Sequence, residues 1–228
     1  FTFMGLILER SGMAEELLDT VGQLLGPVRG GVAYAVILVG ALLAATTGVI
    51  AASVIAMGLI SLPIMLRYGY SQRLATGVIC ASGTLAQIIP PSIVLIVLAD
   101  VLGASVGDIY AGAALPGLML VVLLLGYVLT VSIVKPSAAP ALPHEARTLK
   151  SWALYRHALL VMVPPLTLIF LVLGSIFMGI ATPSEGGAMG AVGALALAFA
   201  KRRLDYAVLR EALESTTKLS SFVMFILI

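Results

Sequence analysis

Two short segments of this chain carry residue types that can bind a small ion without any charged side chain. The first runs from Ser82 to Ser92 and includes Thr84, so it offers three hydroxyl groups. Pro90 and Pro91 within it lack a backbone N–H and clash with the preceding helical turn, so they predict a break in the helix. A break frees carbonyl oxygens that can ligate Na⁺, and the helix that restarts offers N–H groups to an anion.

The second segment is Thr46, Thr47 and Gly48, in the middle of the 37 uncharged residues 30–66. A helix that crosses a ~30 Å hydrocarbon core needs roughly 20 residues, so this stretch is too long for one span and short for two. Its centre is small and polar. We therefore predict a re-entrant hairpin of two half-length helices whose tip is at these three residues. Such a hairpin is tolerated at membrane depth only where protein or water covers its broken backbone.

An alternative interpretation of Ser82, Gly83 and Thr84 is packing alone. Small residues let helices approach closely, and consecutive prolines can merely kink a span. A chain with two interrupted elements rather than one favours an ion or substrate site, because discontinuous helices form the binding sites of secondary transporters.

Composition places these segments in an all-α polytopic membrane protein. Hydrophobic residues make up 61% of the chain, charged residues make up 11%, and the mean hydropathy is +1.13. The net charge of +2 does not suggest a nucleic-acid partner, and one cysteine, Cys80, allows neither a disulfide nor a cysteine metal site. We expect Cys80 to be a small packing residue. The predicted spans contain no acidic, basic or histidine side chain, which disfavours a proton relay and an intramembrane hydrolase. We expect no enzyme and no cofactor, with Na⁺ as the coupling ion.

The order of segments follows from the charge-free runs and the turn residues. We predict the end of a transmembrane helix and an interfacial amphipathic helix in 1–29, the re-entrant hairpin in 30–66, a discontinuous transmembrane helix in 67–99, a loop and a transmembrane helix in 100–134, a flexible cytoplasmic linker in 135–157, two transmembrane helices in 158–200, an interfacial amphipathic helix in 201–219 and the start of a truncated transmembrane helix in 220–228.

Orientation follows from the basic residues. If the hairpin returns to its own side, all 13 Lys and Arg residues lie on one side of the bilayer, which is then cytoplasmic. On the opposite side, Pro183 and Glu185 are good signals for the start of a helix. We interpret Glu185 as helix-start chemistry rather than as a proton carrier.

The residues 42–58, 63–70 and 81–93 resemble the large membrane subunit of tripartite ATP-independent periplasmic (TRAP) transporters, the DctM-like family. Residues 179–188 resemble a second family motif, a Thr-Pro-Thr/Ser-Glu-Ala helix start. The resemblance covers essentially the whole chain and implies a fragment that lacks the N-terminal start and C-terminal half of the subunit. It further implies an elevator-type Na⁺ symporter in the bacterial inner membrane, working with a small membrane subunit and a periplasmic solute-binding protein that delivers an organic acid.

The resemblance also assigns roles by position. Thr47 and Gly48 match the Ser-Gly pair at the tip of the family's first hairpin. The family's first unwound helix is matched by Ser82, Gly83, Thr84, Pro90, Pro91 and Ser92. Where the family tip often continues with a serine, this chain has Val49, which leaves coordination there to Thr46, Thr47 or backbone oxygens. The Na⁺ candidates are therefore Thr47, Gly48, Ser82 and Thr84.

Two further functions remain open. An elevator-type Na⁺/carboxylate symporter that works without a binding protein would use the same broken elements. A scaffold or channel subunit is less well supported, because scaffolds do not call for broken helices and channels usually show charged or carbonyl filter rings. The sequences of residues 7–12 and 79–82 resemble family members labelled for mannitol or chloroaromatic compounds more than they resemble the dicarboxylate or sialic-acid branches.

Overall fold

The structure, a computed structural model, describes residues 1–47, 50–143 and 151–227. Regular structure in these ranges is helical throughout, which confirms the all-α prediction. Two 3-10 turns, at Leu85–Gln87 and Pro136–Ala138, accompany ten α-helices. The α-helices are α1 (Thr2–Arg10), α2 (Met13–Leu25), α3 (Gly31–Thr47), α4 (Ile50–Arg67), α5 (Gln72–Thr84), α6 (Ile93–Leu102), α7 (Val106–Val134), α8 (Ser151–Phe177), α9 (Pro183–Ala200) and α10 (Tyr206–Leu227).

Helix α3 lies at the centre of the molecule, in contact with α1, α2, α4, α5 and α7. Its side chains are apolar on every side, and Ala33, Val36 and Ile37 are completely buried. A helix that is hydrophobic all round must be covered all round. The neighbouring helices cover most of its surface, whereas Leu38 stays 40% exposed.

Helices α3 and α4 form an antiparallel pair. We call the end at which α3 begins and α4 finishes its open end, and a hydrogen bond joins the two helices there. The backbone N–H of Val32, at the start of α3, donates to the hydroxyl of Tyr70, just after the end of α4, at 3.2 Å. Burial raises the pKa of Tyr70 to about 12, so this hydroxyl stays neutral and protonated at physiological pH. The arms have 17 and 18 residues, which is about 26 Å each at ~1.5 Å per residue. These lengths agree with two helices on either side of a tip at residues 46–48, and the re-entrant course of the pair stays a prediction.

The segment 135–143, predicted as part of a flexible linker, is instead fixed across the open end of this helix pair. It buries Ala139 completely and Leu142 almost completely. Its backbone bonds join loops that precede α3 and α5: Gly30 N–H to Ala139 O (3.0 Å), Ser71 N–H to Ala138 O (3.0 Å) and Leu142 N–H to Gly26 O (2.9 Å). Prolines in this segment prevent a helix, and the backbone groups left free bond to other loops instead. Residues 144–150 of the predicted linker lie outside the described residues.

Two helix boundaries differ from the sequence-based segments, and α2 has more contacts with other helices than an interfacial helix would. Helix α8 begins at Ser151, inside the predicted linker. The predicted split at residues 219 and 220 is wrong, because α10 is continuous from Tyr206 to Leu227, with no proline or glycine to interrupt it. Helix α2, predicted as interfacial, packs its apolar stripe against α3 and α8 and so braces these two helices.

Two helices in the described residues are long and apolar enough to cross a bilayer by length and composition. They are α7, with 29 residues, and the 22 residues Arg156–Phe177 of α8. Helix α7 exposes large apolar side chains along most of its length, among them Leu115, Val122 and Ile133. Such an exposed surface is typical of a helix that faces lipid or another subunit.

Candidate functional site

The predicted helix break is present between α5 and α6. Helix α5 ends at Thr84, a 3-10 turn follows, and α6 begins only at Ile93. Pro90 and Pro91, joined by a cis peptide bond, are both buried within the break. Because neither proline has an N–H, the carbonyl oxygens of Ala86 and Gln87 lose the donors that a continuous α-helix would supply.

The last turn of α5 touches α3 through Ser82. This serine is completely buried, and its hydroxyl donates to the carbonyl oxygen of Ile79 at 3.0 Å. The facing residue on α3 is Gly40, where a β-carbon would lie only 2.7 Å from the Ser82 Cβ. Gly40 therefore allows the two helices to approach at the start of the break. Sequence reasoning missed it, although a lone glycine inside an apolar helix is a signal of close packing.

The next residue, Gly83, touches the other arm of the helix pair. A β-carbon at Gly83 would lie 3.0 Å from the Cα of Val54 on α4 and closer still to its side chain. The end of α5 thus lies between α3 and α4, with one small residue against each. The packing role considered for Ser82 and Gly83 is real, and it fixes the break at a defined position against both arms.

The Thr84 side chain points away from this contact and is exposed. Its hydroxyl donates to the carbonyl oxygen of Ala81 at 2.8 Å. The hydroxyls of Ser82 and Thr84 both donate their proton to a carbonyl of their own helix, so only their lone pairs remain for a further partner. A hydroxyl in this state suits a cation better than a hydrogen-bond acceptor.

Ser92 occupies the N-cap of α6 without capping it. The residue is completely buried, and its hydroxyl has no hydrogen-bond partner among the described residues. An N-cap serine ordinarily accepts from an N–H in the first turn, and a buried unpaired hydroxyl costs about 1–3 kcal/mol. The backbone oxygen of Ser92 accepts from the hydroxyl of Tyr110 on α7 at 3.5 Å, the outer limit of such a bond. Tyr110 was not predicted, because no local pattern links residues so far apart.

Helix α7 closes the remaining side of the break. A β-carbon at Gly117 would lie 3.2 Å from the Ile89 Cγ1 and 3.6 Å from the Ile88 Cγ2. The break therefore packs against α3, α4 and α7, while Thr84 at its start stays exposed, and none of its own residues is charged. Freed carbonyls and hydroxyls are the ligands that such a neutral site can offer to Na⁺.

The predicted tip of the hairpin cannot be compared with this geometry. Gly48 and Val49 lie outside the described residues, as do the side chains of Thr46 and Thr47. The structure therefore brings together Ser82, Gly83 and the two prolines of the break, with Ser92 beside α7. Cys80, expected to pack inside, is exposed, because it lies on a face of α5 that neither arm covers.

Glu185 lies at the start of α9. Its carboxylate accepts from the Thr182 N–H at 2.7 Å, and its own N–H donates to the Thr182 hydroxyl at 3.3 Å. This reciprocal pair is a capping box. The hydrogen bonds from Thr182 lower the pKa of Glu185 below its usual value. The interpretation of Glu185 as helix-start chemistry is confirmed.

Comparison with known proteins points in one direction. The sequence model of the DctM component of tripartite ATP-independent periplasmic transporters matches residues 1–228. The chain is 35% identical over 229 residues to the C4-dicarboxylate TRAP transporter large permease protein DctM of Pseudomonas aeruginosa, covering 100% of this chain and 52% of that protein. It is 30% identical over 222 residues to the ectoine TRAP transporter large permease protein TeaC of Halomonas elongata, covering 97% and 50%. The chain spans about half the length of the curated relatives it matches.

Proposed function

The chain belongs to the DctM family of tripartite ATP-independent periplasmic transporters, and on this premise we propose that it is part of the permease of a Na⁺-coupled secondary transporter. Proteins of this family are transporter permeases and not enzymes. We place the chain in the bacterial inner membrane as a multi-pass protein. The imported solute in this proposal is an organic acid or a related small polar molecule.

One observation carries the proposal, namely the interrupted helix between Thr84 and Ile93 that packs against three other helices. On a lipid-facing surface, the freed carbonyls of a broken helix would have no polar partner. Here the break lies against both arms of the α3–α4 pair and under α7, with an unpaired buried hydroxyl at its far end. Protein cover of this kind is what irregular backbone at membrane depth requires.

The proposed Na⁺ site uses oxygen atoms at the end of α5 and in the 3-10 turn that follows it. Ser82 and Thr84 supply hydroxyl lone pairs, and the carbonyls of Ala86 and Gln87 are available because the prolines cannot bond to them. The resemblance of the hairpin tip to the family adds Thr46, Thr47 and Gly48 as further ligands from the α3–α4 connection. Pro90 and Pro91 then form the wall on the side of the substrate, and the unpaired hydroxyl of Ser92 is a further candidate ligand for the ion or the substrate.

The α3–α4 pair is proposed to be re-entrant, and to move with α5 as one body in an elevator mechanism. Support comes from the contacts of Gly40 with Ser82 and of Gly83 with Val54, which leave no room for these helices to slide past one another. A rigid unit that carries its ion site with it is what such a mechanism requires.

The partners proposed for the whole transporter are a small membrane subunit and a periplasmic solute-binding protein. The relatives are named for C4-dicarboxylate, ectoine and 2,3-diketo-L-gulonate. This range of small polar solutes supports a solute of the same kind for the present chain. We expect a gene for a secreted solute-binding protein beside the gene for this chain, and its absence would favour the symporter that works alone.

The Na⁺ site can be tested by measuring radioactive Na⁺ binding to the purified full-length permease. Replacing Thr84 with Val keeps the shape and removes the oxygen, so we expect an about tenfold weaker Na⁺ affinity, equivalent to ~1.4 kcal/mol. The matched control is Thr76→Val on the same helix. Thr76 is also exposed and also donates to its own helix, but it lies two turns from the break.

Equal Na⁺ affinities for the wild type and Thr84→Val would refute a role for this hydroxyl in the site. Equal losses in Thr84→Val and Thr76→Val would show a general effect on α5 instead. Uptake that a proton gradient drives equally well in Na⁺-free buffer would contradict the coupling itself.

A further inference from the structure

A cavity with both polar and apolar lining residues lies between the N-terminus of α5 and the C-terminal end of α7, away from the break. It has a volume of about 350 Å³ and an open mouth on the molecular surface. Its polar lining consists of Ser71, Arg73, Tyr127, Thr130 and Lys135. No acidic side chain lines it. The proposed Na⁺ site makes no use of this cavity.

The two basic residues in the cavity are not neutralised by the protein. Arg73 and Lys135 are both exposed, and neither forms an ion pair within the part of the chain that the structure describes. In contrast, Arg10, Lys201 and Arg203 each lie within 3.3 Å of a carboxylate oxygen. Two unopposed positive charges at one cavity mouth attract an anion.

The backbone of α5 adds to this positive potential. Ser71 is the N-cap of this 13-residue helix, and its hydroxyl accepts from the Leu74 N–H at 3.3 Å. The first-turn N–H groups of Gln72 and Arg73 have no partner inside the helix. The positive end of the helix dipole and the two basic side chains therefore act at the same place, which is a favourable arrangement for a phosphate group.

The surface beside the cavity indicates which phosphate it would take. The last turns of α7 expose Leu129, Ile133 and Val134, with exposed fractions of 52%, 70% and 68%. A free phosphate ion makes no favourable contact with such an apolar surface, whereas acyl chains can lie along it. Tyr127, also exposed beside the cavity, has the apolar ring and polar tip typical of side chains at a membrane interface.

We propose that this cavity binds the head group of an anionic phospholipid, with its phosphate between Arg73 and Lys135 and its acyl chains along α7. Basic cavities between membrane helices at the cytoplasmic surface are suited to such head groups. The inference requires that the chain lies in a bilayer, but it does not depend on Na⁺ binding. The two proposals can therefore fail separately.

The test measures lipid binding to the full-length permease by native mass spectrometry, with dioleoylphosphatidylglycerol and dioleoylphosphatidylcholine as probes. For the wild type we expect an about tenfold preference for the anionic lipid, since each basic residue near the surface strengthens binding of anionic lipid. The double variant Arg73→Gln, Lys135→Gln should bind both lipids equally while its Na⁺ affinity stays at the wild-type value.

The matched control is the double variant Arg156→Gln, Lys218→Gln. It removes the same charge from two other exposed residues that form no ion pair in the described ranges. It should keep the preference. A preference that persists in the cavity variant, or that disappears equally in the control, would overturn the proposal. Displacement of the lipid by an equal concentration of glycerol phosphate would show a site for small phosphates instead, and would also overturn it.

Discussion

At the scale of single residues, Ser92 is the most informative position. Its hydroxyl is buried and has no partner among the described residues, yet a buried polar group without a partner is destabilising. The proline pair before it and Tyr110 beside it hold the residue in place. A hydroxyl kept in such a position is best explained by a partner that arrives with function, namely the ion, the solute or an ordered water.

We therefore predict that Ser92→Ala has opposite effects with and without the ion. In Na⁺-free choline buffer the variant should be as stable as the wild type or more stable, by up to about 1 kcal/mol, because an unpaired polar atom has been removed. In Na⁺ buffer the increase in melting temperature should be smaller than for the wild type. The measurement is thermal unfolding of the purified full-length permease in both buffers.

Ser132→Ala is the control for this prediction. Ser132 is also buried, but its hydroxyl donates to the carbonyl oxygen of Val128 at 2.7 Å. This variant should lose stability equally in both buffers. An equal loss for Ser92→Ala in the two buffers would mean that its hydroxyl holds a structural water rather than a transported species.

The residues that act locally were predictable, whereas their partners were not. Pro90 and Pro91 act on the turn that precedes them, so the break could be read from the chain itself. Gly40, Val54 and Tyr110 belong to other helices, and only packing reveals that they face the break. The hydroxyl of Ser82 was predicted as a ligand without any indication that its helix would lie directly against α3.

At the scale of elements, the position of α5 between the two arms depends on the absence of a side chain at Gly83. A β-carbon there would approach the Val54 backbone at about the limit of real contacts. To admit it, α5 would have to move away from α4, with which it makes extensive contact. A methyl group added at Gly83 would therefore disturb the packing of α5 against both α3 and α4.

We predict that Gly83→Ala destabilises the protein by about 1–3 kcal/mol through overpacking. The control is Gly77→Ala on the same helix, where a β-carbon meets nothing within 4 Å. That change should stabilise the helix by up to about 1 kcal/mol, since alanine is the better helix former. Unfolding of both variants by denaturant gives the comparison. If both variants shift in the same direction, α5 is not held between the arms as described.

At this scale, prolines also account for the incorrect expectation that residues 136–143 are flexible. Three prolines between residues 136 and 143 suggested a flexible linker, since proline disfavours both helix and sheet. The backbone polar groups that this segment leaves free bond to two other loops. Mobility did not follow from the prolines, because the bonding partners of this segment lie 67 to 116 residues earlier in the chain.

At the scale of the whole molecule, Glu16 on α2 forms ion pairs with the distant turn between α9 and α10. Its carboxylate on α2 lies 3.3 Å from the Lys201 amine and 3.2 Å from the Arg203 guanidinium. Arg203 also donates to the carbonyl oxygen of Gly12 at 3.1 Å. The turn between α9 and α10 is thereby attached to the start of α2, the helix that braces α3.

We predict that Glu16→Gln lowers the free energy of unfolding by about 1 kcal/mol, the upper end of the range for partly exposed pairs. The adjacent residue provides a matched control, since Glu15 is exposed and forms no ion pair in the described residues. Glu15→Gln should change stability little. Thermal unfolding of the two variants in KCl decides the matter, and equal melting temperatures would show that the cluster around Glu16 contributes nothing measurable.

The closure of the α3–α4 pair by residues 138 and 139 has a consequence for how the protein is made. The ribosome must add 71 residues after Arg67 before Ala138 exists to bond Ser71. At 5–20 residues per second, this delay is roughly 4 to 14 s. During that time the open end of the pair has the bond between Val32 and Tyr70 but lacks those to residues 138 and 139. The order of synthesis therefore predicts that the α3–α4 pair can form before its open end is closed.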